Sequence, residues 1–158
     1  MPATDETATR YKRLWFGPKA RVTIGPGFLH RSGFGTLLIP HPPIANYLLR
    51  WGMPRHPTRE LCFAHEFAHF QTAPLLLIYL LTLVILAFAG GRTGIGDFFF
   101  LLASGQAAWE IASEGLVMLQ DPARYRMSCE TLTRFPRVLF WALGSFFTAA
   151  GWVIALTR

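Results

Sequence analysis

At 158 residues the chain is one domain by length, with little room for a second. Just over half of it is apolar, and that excess gathers after residue 72. The formal charge is +6, but nine of the fifteen Lys and Arg residues fall between 10 and 59 and four between 124 and 137, broken by Gly and Pro in no nucleic-acid-binding motif, so the charge reads as a cytoplasmic flank under the positive-inside rule and not as a nucleic-acid patch.

Residues 1 to 12 read as a polar tail, and the first apolar run comes far too late for a signal peptide. Residues 14 to 56 are punctuated by Gly and Pro. Within them "RVTIGPGFLHRSGFGTLLIP" predicts two short strands, "RVTI" and "GTLLI", joined by Gly-rich turns. "HPPIANYLLRWGMPRHP" holds a short amphipathic piece on Ile44, Tyr47, Leu48 and Trp51 that suits a membrane interface. Residues 1–56 are thus an N-terminal tail and small strand segment, and 57–158 a helical domain.

A helix is expected from Pro57, carrying "PTRELCFAHEFAHFQTA". Pro74 is expected to kink or restart it. Residues 73 to 89 carry no charge and suit a membrane span, lengthened by the helix before them. "GGRTGIGD" at 90 to 97 reads as a turn, and 98 to 119 as a second long helix with Gln106, Glu110 and Glu114 embedded in it. "QDPARYRMSCETLTRFPR" reads as a polar, basic connection, and 138 to 157 as a clean span. The fold class is therefore mainly α and integral membrane, with about three membrane helices and a small N-terminal β or irregular cytoplasmic segment. Charge places the N-terminus in the cytoplasm and the C-terminus outside, with membrane lipids as partners.

Residues 65 to 69 read "HEFAH". On a helix, positions four apart share a face, so His65 and His69 can reach one metal ion. Glu66 between them is placed to deprotonate a zinc-bound water. A catalytic zinc needs a third protein ligand. Glu110 and Glu114 are the only carboxylates inside the second long helix, and burying them at membrane depth is costly unless something holds them. An antiparallel hairpin brings them near the histidines, with an offset of roughly 8 Å on an ideal helix rise that bends and crossing can absorb. In the competing reading the histidines face lipid headgroups and Glu114 pairs with an Arg of 124 to 137. Cys62 shares their face but reads as packing. His30, His41, His56, Tyr125 and Arg126 could assist an oxyanion, yet each reads as an ordinary surface residue. "FFF" at 98 to 100 reads as a lipid-facing aromatic belt.

HExxH followed by "EIASE" resembles the gluzincin pattern of zinc metallopeptidases. Across about residues 57–119 it is most similar to the membrane-embedded heat-shock and CAAX-prenyl protease group, where an HExxH helix also runs into an apolar hairpin before the Glu-bearing helix. The resemblance implies zinc held by His65, His69 and Glu110, with Glu114 orienting a ligating histidine where the pattern has Asp. It also implies that the "GTLLIP" strand pairs with substrate. The function expected on that basis is a membrane zinc metallopeptidase. Its Glu66-activated water would attack a peptide bond in a peptide or membrane-protein segment reached from the cytoplasm. The alternative is a non-catalytic, metallopeptidase-derived subunit of a larger membrane complex, with other membrane subunits as partners. A lipid-modifying or di-metal enzyme fits less well, because only two of the five histidines cluster.

Overall fold

The computed structural model describes residues 7–25, 30–34, 39–40, 59–91, 94–131 and 134–157. Most of these are helical, with a small sheet at the N-terminal end. The strands are β1 (Ala8–Arg13), β2 (Lys19–Ile24), β3 (His30–Phe34) and β4 (Ile39–Pro40). They are antiparallel neighbours in that order. The helices are α1 (Arg59–Ala89), α2 (Ile95–Gln120), α3 (Pro122–Thr131) and α4 (Arg134–Thr157).

The polar tail is a strand over much of its length. β1 and β2 form a hairpin whose turn places Gly17 at φ +111°, and the Leu14 N–H donates to the Pro18 carbonyl at 2.9 Å. Alternation along β2 buries Ala20, Val22 and Ile24, which pack with Leu14 against Cys62, Phe63 and Phe67 of α1. Register sets Arg10 opposite Val22 and Lys12 opposite Ala20. The stems of these cations therefore lie on the apolar face. The Arg10 guanidinium sits over the Phe63 ring at 4.6 Å and pairs with Glu60, while the Lys12 ammonium lies 6.0 Å from the Phe67 ring centre. Polar composition hid a strand that uses its cations as amphipathic cover. "RVTI" lies in β2, whose described neighbours are β1 and β3. Most of "GTLLI", the 44–51 piece, the helix start at Pro57, His41 and His56 lie outside the described residues.

α1 runs through Pro74 as one helix and does not restart there. A proline removes one backbone hydrogen bond from a helix, and the helix resumes its ladder beyond it. α2 begins at Ile95, earlier than expected, because the Asp97 carboxylate accepts the Gly94 N–H at 3.0 Å and caps the first turn. The expected connection after residue 120 contains a helix, α3. Asp121 accepts the Arg124 N–H at 3.1 Å and Pro122 takes the first helical position.

α2 packs against both α1 and α4, in a core of Leu83, Ala87, Leu101 and Ala155. α4 approaches α2 closely because Gly144 lies against Ile111 and Gly151 against Ser104, leaving no room for a Cβ at either glycine. One polar knot ties all three helices: the Tyr79 hydroxyl bonds the Ser104 hydroxyl at 2.9 Å and donates to the Thr148 carbonyl at 3.3 Å. Among the described residues two helices, α1 and Val138–Thr157 of α4, are long and apolar enough to cross a membrane, where about three such spans were expected. α2 is less apolar along its length, with Gln106, Glu110 and Glu114 among its small residues.

Candidate metal centre

The first half of α1 and the last half of α2 face each other above the apolar helix core. His65, Glu66 and Thr72 of α1 are buried, as are Glu110, Ser113 and Glu114 of α2. His65 Nε2, His69 Nε2 and an oxygen of Glu110 converge, with one potential ligand atom from each residue within 4.8 Å of the others. The nitrogens are 3.0 Å apart, and Glu110 Oε2 lies 3.4 Å from His65 Nε2 and 3.2 Å from His69 Nε2.

Hydrogen-bond partners behind this triangle decide where its protons sit. An ionised carboxylate only accepts, so His65 Nδ1–H donates to Glu114 Oε2 at 3.0 Å, and in a neutral imidazole that leaves the electron pair on Nε2. Around His69 the deduction runs through hydroxyls. The Thr72 hydroxyl gives its proton to the Ala68 carbonyl at 2.8 Å. Ser113, 3.1 Å away, must then donate to Thr72. Having spent its only proton, Ser113 Oγ accepts from His69 Nδ1–H at 3.0 Å. A neutral His69 ring therefore carries its electron pair on Nε2 as well. Glu110 Oε1 accepts from Gln106 at 2.8 Å, while Oε2 is buried with no hydrogen-bond partner.

With both rings neutral, two imidazole nitrogens and a carboxylate oxygen lie close enough together to share one cation. A proton satisfies one pair at a time. A tetrahedral ion with bonds of about 2.0–2.1 Å holds its ligand atoms about 3.3–3.4 Å apart, close to the observed 3.0, 3.4 and 3.2 Å. The spacing and the orphaned Glu110 oxygen fit a metal ion held by His65, His69 and Glu110. Their supports match the usual role of groups behind metal ligands, which fix the tautomer and ring orientation.

Glu66 is buried on α1 beside His65, outside the converging set. Cys62 packs in the sheet–helix core. Tyr125 is buried with Leu61, Ala68 and Val117, not on the surface as expected, because α3 folds back over α1 and α2; Arg126 on the same helix is exposed. His30 lies in β3, remote in sequence from the triad.

Sequence reasoning missed Thr72, Ser113 and Trp109. The Trp109 indole donates to the His69 carbonyl at 2.9 Å and packs edge-on to the His69 ring at 4.6 Å. The available signal was spacing: Thr72 follows His69 by three, Ser113 follows Glu110 by three, and each pair shares a helix face. Beside the triangle lies an apolar cleft of about 130 Å³, lined by Thr72, Leu76, Tyr79, Trp109 and Ala112 among others. Compared with family models, with curated proteins and with solved structures, the chain matches none.

Proposed function

We propose that the chain is an integral membrane zinc metallopeptidase of gluzincin type. The observation that carries this reading is the convergence of three potential ligand atoms from His65, His69 and Glu110, with each histidine bonded from behind through Nδ1. Two histidines and a glutamate with a fourth position open is the ligand set of a catalytic zinc.

When bound, zinc supplies Lewis acidity, bringing a water's pKa to about 7 and polarising a carbonyl. The chain's residues do the rest. His65, His69 and Glu110 hold the ion. Glu114 and Ser113 keep the two rings oriented. Glu66 takes the proton from the attacking water and passes it to the leaving amine. The cleft beside Trp109 accepts one apolar substrate side chain, since about 130 Å³ is close to the size of an engineered cavity that holds benzene.

Membrane insertion is supported by the lower halves of the helices. Leu75, Leu77, Ile78, Leu81, Ile85 and Phe88 of α1 and Phe146, Val153 and Leu156 of α4 are all exposed, an apolar belt far too continuous for water. α2 completes a three-span bundle, with its carboxylates Glu110 and Glu114 level with the polar half of α1. The basic residues put the N-terminus and the metal centre on the cytoplasmic side. A second reading, a structural metal site in a non-catalytic subunit, draws on burial: the side chains of His65, His69 and Glu110 are only 5, 13 and 10% exposed.

Metal content and Glu66→Gln separate the two readings. The enzyme reading expects about one zinc per purified chain, and a Glu66→Gln variant that keeps zinc but loses cleavage of a casein-like substrate by at least a hundredfold, the scale of a general base. Zinc retention with no cleavage by either form leaves the structural reading. Native protein without zinc, whose stability His65→Ala leaves intact, sinks both.

A further inference from the structure

We propose that the tip of the β1–β2 hairpin is an anchor for an anionic lipid surface, which sets the depth of the metal centre in the membrane. The inference rests on the membrane half of the proposed function, not on catalysis.

β1 runs along α1 in the same direction. Arg10 meets Glu60 and Phe63, Lys12 meets Phe67, and the Trp15 indole donates to the Gln71 carbonyl at 2.9 Å. Each contact lies further toward the apolar half of the helix. The tip therefore points at the membrane and ends at Gln71, two residues before the uncharged stretch of 73 to 89 begins. His69 lies about 3 Å along the helix axis from Gln71, so the tip and the metal centre share one level.

The chemistry of the tip fits an interface. Trp15 is 70% and Phe16 38% exposed, and the two rings pack edge to face at 5.2 Å. A Trp–Phe pair so exposed is costly in water and suited to the headgroup boundary. Directly behind it, register places Arg13 opposite Lys19. Like charges across an antiparallel pair destabilise a hairpin, and among the described residues neither cation has an acidic partner. Arg21, two residues on from Lys19 along the same face, lies 5.8 Å from the Tyr11 ring, and its Nε is buried with no hydrogen-bond partner. Clustered cations behind an aromatic tip are what an anionic headgroup layer neutralises, at roughly fivefold in affinity per cation.

The test uses the full chain in nanodiscs of phosphatidylcholine with and without phosphatidylglycerol, read by hydrogen exchange over residues 8–24. Anionic lipid should slow exchange of the tip amides. Arg13→Gln with Lys19→Gln should cancel that lipid dependence, a loss of roughly 25-fold if the two cations act independently. Trp15→Ser with Phe16→Ser should expose the tip in both lipids. Equal exchange in both lipids, or protection that follows protein concentration and so reports a second copy on this face, overturns the anchor. Protection of residues 73–89 is read in the same experiment. If that stretch is protected and the tip is indifferent to lipid, the anchor fails and the membrane reading stands. If carbonate strips the chain from membranes and it does not float with phosphatidylglycerol vesicles, both fail.

Discussion

In a neutral His69 ring, two hydroxyls hold the proton on Nδ1, the tautomer that the proposed metal ligand needs. The Thr72 proton is committed to the Ala68 carbonyl, the Ser113 proton to Thr72, and only Nδ1–H of His69 remains to complete the chain. Removing either hydroxyl frees the ring to turn or to place its proton on Nε2. Ser113→Ala and Thr72→Val are each expected to weaken zinc binding by roughly 10–100-fold, the usual cost of losing a group behind a ligand. Ser113→Thr should restore it. Competition against a chromophoric chelator measures this without any substrate. Unchanged affinity in both variants would show that the relay has no part in metal binding. The proposed ligands were readable as a group, because histidines four apart and an embedded glutamate announce themselves in an apolar sequence. Ser113, Thr72 and Trp109 were not, since Ser, Thr and Trp in apolar helices read equally well as packing. Only the fold brings Ser113 of α2 within reach of His69.

Glycine sets how closely the helices approach. A Cβ on Gly151 would fall onto the Ser104 side chain, which also bonds Tyr79, so the new methyl presses on the knot that ties α1, α2 and α4. Gly151→Ala is expected to destabilise by about 1–3 kcal/mol, the cost of overpacking a filled core. Gly96→Ala is the control: nothing lies within 4 Å of its added Cβ, and alanine is the better helix former by about 0.5–1 kcal/mol. Thermal unfolding in one detergent should therefore move in opposite directions for the two variants. If both shift alike, close packing at Gly151 is not what limits stability. At this scale the long apolar helices were legible from their runs of uncharged residues. β1 was not, because "ATRYKR" is polar on both faces and gains its apolar side only when Arg10 and Lys12 lie over Phe63 and Phe67. Pro74 does not restart the helix, because losing one backbone hydrogen bond does not end a helix of 31 residues. α3 carried its own signal, Asp121 before Pro122, hidden by the basic residues that follow.

Across the whole molecule the metal centre would act as a clasp. His65 and His69 come from α1 and Glu110 from α2, between an apolar cluster of Leu83, Ala87 and Leu101 below and one of Leu61, Ala68 and Val117 beside it. An ion bound only by the folded chain stabilises it by mass action, about 2.7 kcal/mol at one hundred times its dissociation constant and about 4.1 kcal/mol at a thousand times. The melting temperature of purified, chelator-treated protein should therefore rise steadily with the logarithm of zinc concentration once the site begins to fill. Glu110→Gln replaces an anionic ligand oxygen with a neutral amide and should flatten that rise. Glu66→Gln changes none of the three proposed ligands and should keep it. Three curves then distinguish the possibilities. A wild-type curve that ignores zinc removes the clasp. Equal slopes in wild type and Glu110→Gln place any bound zinc elsewhere on the chain. A rise in wild type and Glu66→Gln alone assigns the ion to the triangle and separates holding the metal, which needs Glu110, from the chemistry proposed for Glu66.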